Sequence, residues 1–120
     1  MWDAFLAGDF PTALSFCDPE IAWDGTNLPD GRVGRGHDAI LDHIRRWAEQ
    51  WEDWTVEVER IVDGGDEHVV LVMREMGRSN SGLEMDERHA ELYAVHKGKI
   101  VRRRGFSDPR VALEAVGLRD

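Results

Sequence analysis

One hundred and twenty residues, 42% hydrophobic and 32% charged, describe one domain with enough apolar material for a core, too ordered in composition for a disordered chain. The formal charge of −9 repels nucleic acid, and the one basic cluster, Arg102-Arg103-Arg104, falls in an alternating strand that splits it between two faces. No apolar run approaches the ~20 residues of a membrane span, and the N-terminus lacks the basic start and apolar core of an export signal. The lone Cys17 rules out an internal disulfide and is expected to pack as a small apolar side chain, which suits a reducing cytoplasm. Thirteen arginines against two lysines point to a GC-rich bacterial genome.

In chain order, residues 2–7 read as the end of a helix stopped by Gly8. Asp9 then starts a short helix to about Phe16, offering Phe10, Ala13, Leu14 and Phe16 to a core. Asp18-Pro19 breaks it. Residues 21–24 read as a first strand, and residues 25–36 as a loop with a short strand at Arg32-Val33. From His37 to about Trp51 runs the clearest helix, with Ile40, Ile44, Trp47, Ala48 and Trp51 on one stripe. Asp38 sits well near its N-terminus, and Asp42 can pair with Arg45 and Arg46.

The remainder reads as strand. Residues 55–62, 68–76, 84–95 and 99–106 are separated by Asp63-Gly-Gly-Asp66, Ser79-Asn-Ser-Gly82 and Lys97-Gly98, the turn signals of an antiparallel meander. A short helix closes the chain, with Asp108 as N-cap, Pro109 at its first position and Gly117 as its stop. Helices followed by hairpins make an α+β domain.

The marks Ala7-Gly-Asp9, "PEIAWD", Gly34-x-Gly36 before the long helix, Gly98-Lys-Ile100 and "F-x-D" before the last helix stand in one order over residues 8–118. In that order and spacing the chain resembles a SnoaL-like domain of the NTF2-like superfamily, which also includes ketosteroid isomerase. The resemblance implies a cone-shaped, curved antiparallel sheet with helices packed on its concave face around a pocket. It implies a small hydrophobic ligand, no cofactor, and a homodimer through the convex face, here carrying Leu71, Met73, Ala90 and Leu92. The family begins with two or three more helical turns than the seven residues before Gly8, so one pocket wall is expected to be thin.

The resemblance places Asp24 where a carboxylate abstracts a proton beside a carbonyl; the same aspartate can instead cap the turn at Gly25-Thr26-Asn27. It places Glu91 where a neutral acid donates a hydrogen bond to a developing oxyanion, with His89 one layer deeper. His89, Glu91 and Tyr93 share one strand face, and Ala90, Leu92 and Ala94 the other. Arg74, on a row with Val70 and Val72, needs a carboxylate if buried, and Glu91 is available. Arg103 can play the same part or face solvent. Trp23, Trp47, Trp51, Val72, Arg74, Tyr93 and Arg103 are thus the expected ligand contacts. The tyrosine of ketosteroid isomerases falls at or before Met1, and Gly105 stands where a limonene epoxide hydrolase carries an aspartate.

The five histidines show no metal-site spacing, and Gly31-Arg-Val-Gly-Arg-Gly36 lacks the lysine and βαβ setting of a nucleotide site. Two functions stay open at this level. One is an isomerase or cyclase acting next to a carbonyl of a polyketide- or steroid-like ligand; the other is a non-catalytic binding or accessory module.

Overall fold

The computed structural model describes Ala4, Ala7 and residues 9–27, 33–65 and 67–117. The helix expected over residues 2–7 with its stop at Gly8, the loop centre at 28–32, Asp66 and Leu118 lie outside the described residues, apart from those two alanines. Within them the order is α1 (Phe10–Ser15), β1 (Cys17–Asn27), β2 (Val33–Arg35), α2 (His37–Ala48), β3 (Trp51–Gly65), β4 (His68–Ser79), β5 (Glu84–His96), β6 (Lys99–Phe106) and α3 (Pro109–Ala115).

Helix ends follow side-chain chemistry. Asp9 accepts from the Thr12 amide at 3.3 Å to cap α1, and Asp108 accepts from the Arg110 amide at 3.0 Å to cap α3. Gly36 precedes α2 at φ +90°, a conformation that side chains resist. Asp38 in the first turn of α2 and Arg45 and Arg46 in its last complement the helix dipole, and Asp42 pairs with Arg46 at 3.0 Å.

Several strands run longer than the sequence expectation, and two boundaries change an element's identity. Helix α2 ends at Ala48, and Trp51 opens β3 opposite Ser79. Its side chain lies over Gly77, where an added Cβ would come within 3.2 Å of the Trp51 Cβ. Pairing along β4 satisfies the backbone over a long ladder, which outweighs one further helical turn. Strand β1 begins at Cys17 and runs through Pro19. Its pairing with β6 is irregular between Cys17 and Ala22, so a residue without an N–H interrupts no regular ladder there.

The sheet order is β2-β1-β6-β5-β4-β3. Strands β3 to β6 form the antiparallel meander, whereas β1 joins β6 in parallel, so the curved, unclosed sheet is mixed. Lys97 and Gly98, both at positive φ, make the two-residue turn between β5 and β6.

The sheet carries a core on each face. On the inner face, α1 and α2 set Ala13, Ile40 and Ile44 against Cys17, Ile21 and Met73. On the outer face, α3 lays Ala112 and Leu113 over Val70, Val72, Ala90, Leu92 and Phe106. This corrects the expected grouping of Leu71 and Met73 with Ala90 and Leu92. Register pairs Leu71 with Glu91 and Met73 with His89, but Val70 with Leu92 and Val72 with Ala90. Opposed residues share a face. Alternation sorts side chains into two sets, and when both faces are covered it does not say which set turns inward. The apolar surface assigned to a partner copy is thus divided between two cores of the same chain.

Candidate functional site

A cavity of about 100 Å³ opens between α2 and the inner face of the sheet. Helix α2 brings His43, Ile44 and Trp47 to it, β1 brings Trp23, and β3 brings Trp54 and Val56. Its polar side is Glu75 from β4, His89 and Glu91 from β5, and Arg103 from β6. Register explains the convergence: Trp23 pairs with Arg103, and Glu75 lies two residues beyond Met73, the partner of His89. Exposed Glu87, Arg88 and Ser107 border the opening.

Glu91 and Arg103 are only 1% and 4% exposed. Arg103 donates from Nη2 to Glu91 Oε2 at 2.6 Å and from Nε to Oε1. The Tyr93 hydroxyl donates to Oε1 at 2.7 Å. His89 stands between two carboxylates, with Nε2 3.5 Å from Glu91 Oε2 and Nδ1 3.6 Å from Glu75 Oε2. Glu75 Oε1 accepts both indole N–H groups, from Trp47 at 2.6 Å and Trp54 at 2.7 Å. The polar groups therefore form one continuous chain from Arg103 to the tryptophans.

Their electrostatics follow from that chain. Burial pushes the Glu91 pKa up, but the Arg103 guanidinium and the hydrogen bonds from Arg103 and His89 outweigh it and hold the carboxyl down at about 2. Burial likewise opposes the charge on Arg103, and Glu91 more than restores it. For His89, burial favours the neutral ring, yet the carboxylates of Glu91 and Glu75 prevail and raise its pKa.

An ionised Glu91 accepts hydrogen bonds and donates none. The neutral-acid donor expected at this position is therefore not what the folded chain provides. The physical reason is Arg103, which points inward with its guanidinium carbon 3.9 Å from the Trp23 ring centroid.

Of the expected residues, Trp23, Trp47, His89, Glu91 and Arg103 meet at the cavity. Tyr93 supports Glu91 without lining it, and Trp51 packs its ring 5.5 Å from that of Trp47. Asp24 follows inward-facing Trp23 and so turns to the other face, with Oδ2 3.9 Å from Arg102 Nη2. Val72 belongs to the outer core. Arg74 makes a two-bond pair with Asp86 at 2.8 and 2.6 Å, on the face away from Glu91.

Among the cavity residues outside the expected set, Glu75, Trp54 and His43 contribute polar or aromatic groups to its walls. Glu75 shares parity with Leu71 and Met73, a set expected to face outward. Trp54 precedes the expected start of its strand. His43, next to the apolar stripe of α2, has its ring centroid 4.9 Å from that of Trp23. The available signal was the close run Trp47, Trp51 and Trp54, which places several indoles at one helix-to-strand junction. Among the described residues no group of three or more His, Cys, Asp or Glu is arranged to hold a metal ion. None of their helices is long and apolar enough to cross a membrane.

A search of curated protein sequences finds no significant match. Solved structures show the fold. An NTF2-like protein from Burkholderia thailandensis is 26% identical, with TM-score 0.78 over 95% of this chain and 89% of that one. A Catenulispora acidiphila protein of ketosteroid isomerase-like fold, in complex with trimethylamine, is 18% identical, with TM-score 0.75 over 98% and 89%. A Mycobacterium tuberculosis protein in complex with estradiol-17β-hemisuccinate is 19% identical, with TM-score 0.71 over 89% and 87%. The sequence itself matches the profile of the SnoaL-like domain over residues 1–103, and the chain belongs to that family.

Proposed function

We propose that this domain binds a small organic molecule in its tryptophan-walled cavity, and that the buried polar groups shape the site rather than move a proton. The closure of the polar network carries this reading. Both oxygens of Glu91 accept protein hydrogen bonds, both nitrogens of His89 face carboxylates, and Glu75 Oε1 is shared by two indoles. A general base needs a lone pair aimed at the ligand. Here those of Glu91 are directed at protein donors, and Asp24 is on the other face. The bound molecules of the Mycobacterium and Catenulispora relatives support a ligand-holding role for the pocket.

Acid–base chemistry next to a carbonyl of a polyketide- or steroid-like ligand is the second reading. One observation favours it: His89 lines the cavity between two carboxylates that raise its pKa. Cyclopentanone in D2O separates the two. Saturable tryptophan quenching without deuterium entering the ketone supports the binder. Exchange that disappears in His89→Gln transfers the function to the second reading, and no saturable binding of any small organic probe removes both.

A second copy of the chain and a cytoplasmic setting belong to the same proposal. Exposed Val58 and Ile61 on edge strand β3 offer apolar contact for such a copy, and buried Cys17 suits a reducing compartment. Light scattering at micromolar concentration measures the association.

A further inference from the structure

We infer that the ligand of this cavity is an organic cation carrying a compact alkylammonium head group. The inference rests on the small-molecule reading above and specifies the ligand's chemistry.

The local charges leave an excess of carboxylate. Arg103 is committed to Glu91. Arg88, at the opening, turns to Glu59 with bonds of 2.7 and 3.3 Å. What is left is Glu75 and Glu87, directly opposite each other across β4 and β5 and therefore on one face. Like charges in directly opposed positions destabilise a sheet. Among the described residues, His89 is the one cationic partner of Glu75, and it is shared with Glu91; Glu87 makes no ion pair. A positive ligand between the two carboxylates would offset their repulsion.

The walls suit the same charge. An indole presents a negative face and a positive edge. Trp47 and Trp54 have their N–H edges bound to the Glu75 carboxylate, which leaves more electron density on their faces. Trp23 already holds a cation in this way, the guanidinium of Arg103. A cavity of about 100 Å³ takes a compact group of about five heavy atoms, the size of a trimethylammonium head. The net charge of −9 attracts cations from a distance.

The test compares choline with 3,3-dimethylbutan-1-ol, which has the same shape without the charge, by calorimetry and tryptophan fluorescence on the full chain. Choline should bind at least about tenfold more tightly. Glu87→Gln, a change at an exposed position, should weaken choline by about two- to fivefold and leave the alcohol unchanged. Equal binding of the two probes, or tighter binding of the alcohol, overturns the cation inference and leaves the pocket reading standing. Choline affinity unchanged in both Glu87→Gln and Glu75→Gln also overturns it. If neither probe binds, the cation inference falls, and the pocket reading falls with it only if cyclopentanone also fails to bind.

Discussion

Glu91 and Arg103 form a buried, doubly hydrogen-bonded ion pair although they are not cross-strand partners. The residue opposite Glu91 is Gly105, and the residue opposite Arg103 is Tyr93. With no side chain at 105, Arg103 reaches along the diagonal to Glu91, and Tyr93 completes the carboxylate from its own strand. Replacing Glu91 by Gln leaves a guanidinium buried without its counter-charge. Denaturant unfolding should show a loss of about 3–5 kcal/mol. The apolar double variant Glu91→Leu/Arg103→Met should recover most of that loss; a double variant as unstable as the single one contradicts this account.

Acid should act through the same pair. The Glu91 carboxyl titrates lower in the folded chain than its ordinary value of 4.5, so its contribution is fully present above about pH 4.5. It is lost as pH falls toward about 2, where the folded state must also protonate. Thermal midpoints of the wild type should drop more steeply than those of the apolar double variant as pH falls from about 4.5 toward about 2. Parallel profiles would assign the acid sensitivity to other carboxylates.

His89 should titrate in the opposite sense. Its folded-state pKa is raised above 6.5 by Glu91 and Glu75, so the imidazolium stabilises the fold fully below that value. The contribution disappears as pH rises through the higher folded-state pKa. An NMR titration of the His89 ring should give a midpoint above 6.5, and Gln at position 89 should remove the matching fall in stability. A midpoint at or below 6.5 means that burial, not the carboxylates, controls the ring.

Arg74 and Asp24 offer a contrast. Arg74→Ala breaks an outer-face pair, and Asp24→Asn changes a residue away from the cavity. Each variant should bind cavity ligands as the wild type does, whereas Glu75→Gln and Trp54→Phe should weaken binding. Loss of binding in Asp24→Asn would return that aspartate to the site.

The element order was legible because its signals are local. Asp9, Asp108 and Pro109 mark helix starts, Lys97-Gly98 forces a two-residue turn, and the stripe through Ile40, Ile44 and Trp47 has the helical period. Such features act over a few residues and need no knowledge of the rest of the chain. Trp51 shows the limit: it fits the helical stripe by spacing, and only the presence of β4 with Gly77 draws it into β3.

Parity on β4 and β5 was equally readable: it grouped Glu91 with His89 and Tyr93, and Arg74 with Val70 and Val72, which leaves Glu75 on the face of Met73. The sequence by itself thus determined the elements, their order and the sets of side chains that share a face. Tertiary structure alone decided which set faces α2, which is why Glu75 enters the cavity and Arg74 leaves it. It also decided that Arg103, not Arg74, neutralises Glu91. The reason is physical: with both faces of the sheet covered, alternation looks the same inward and outward, and only register and helix packing break that symmetry.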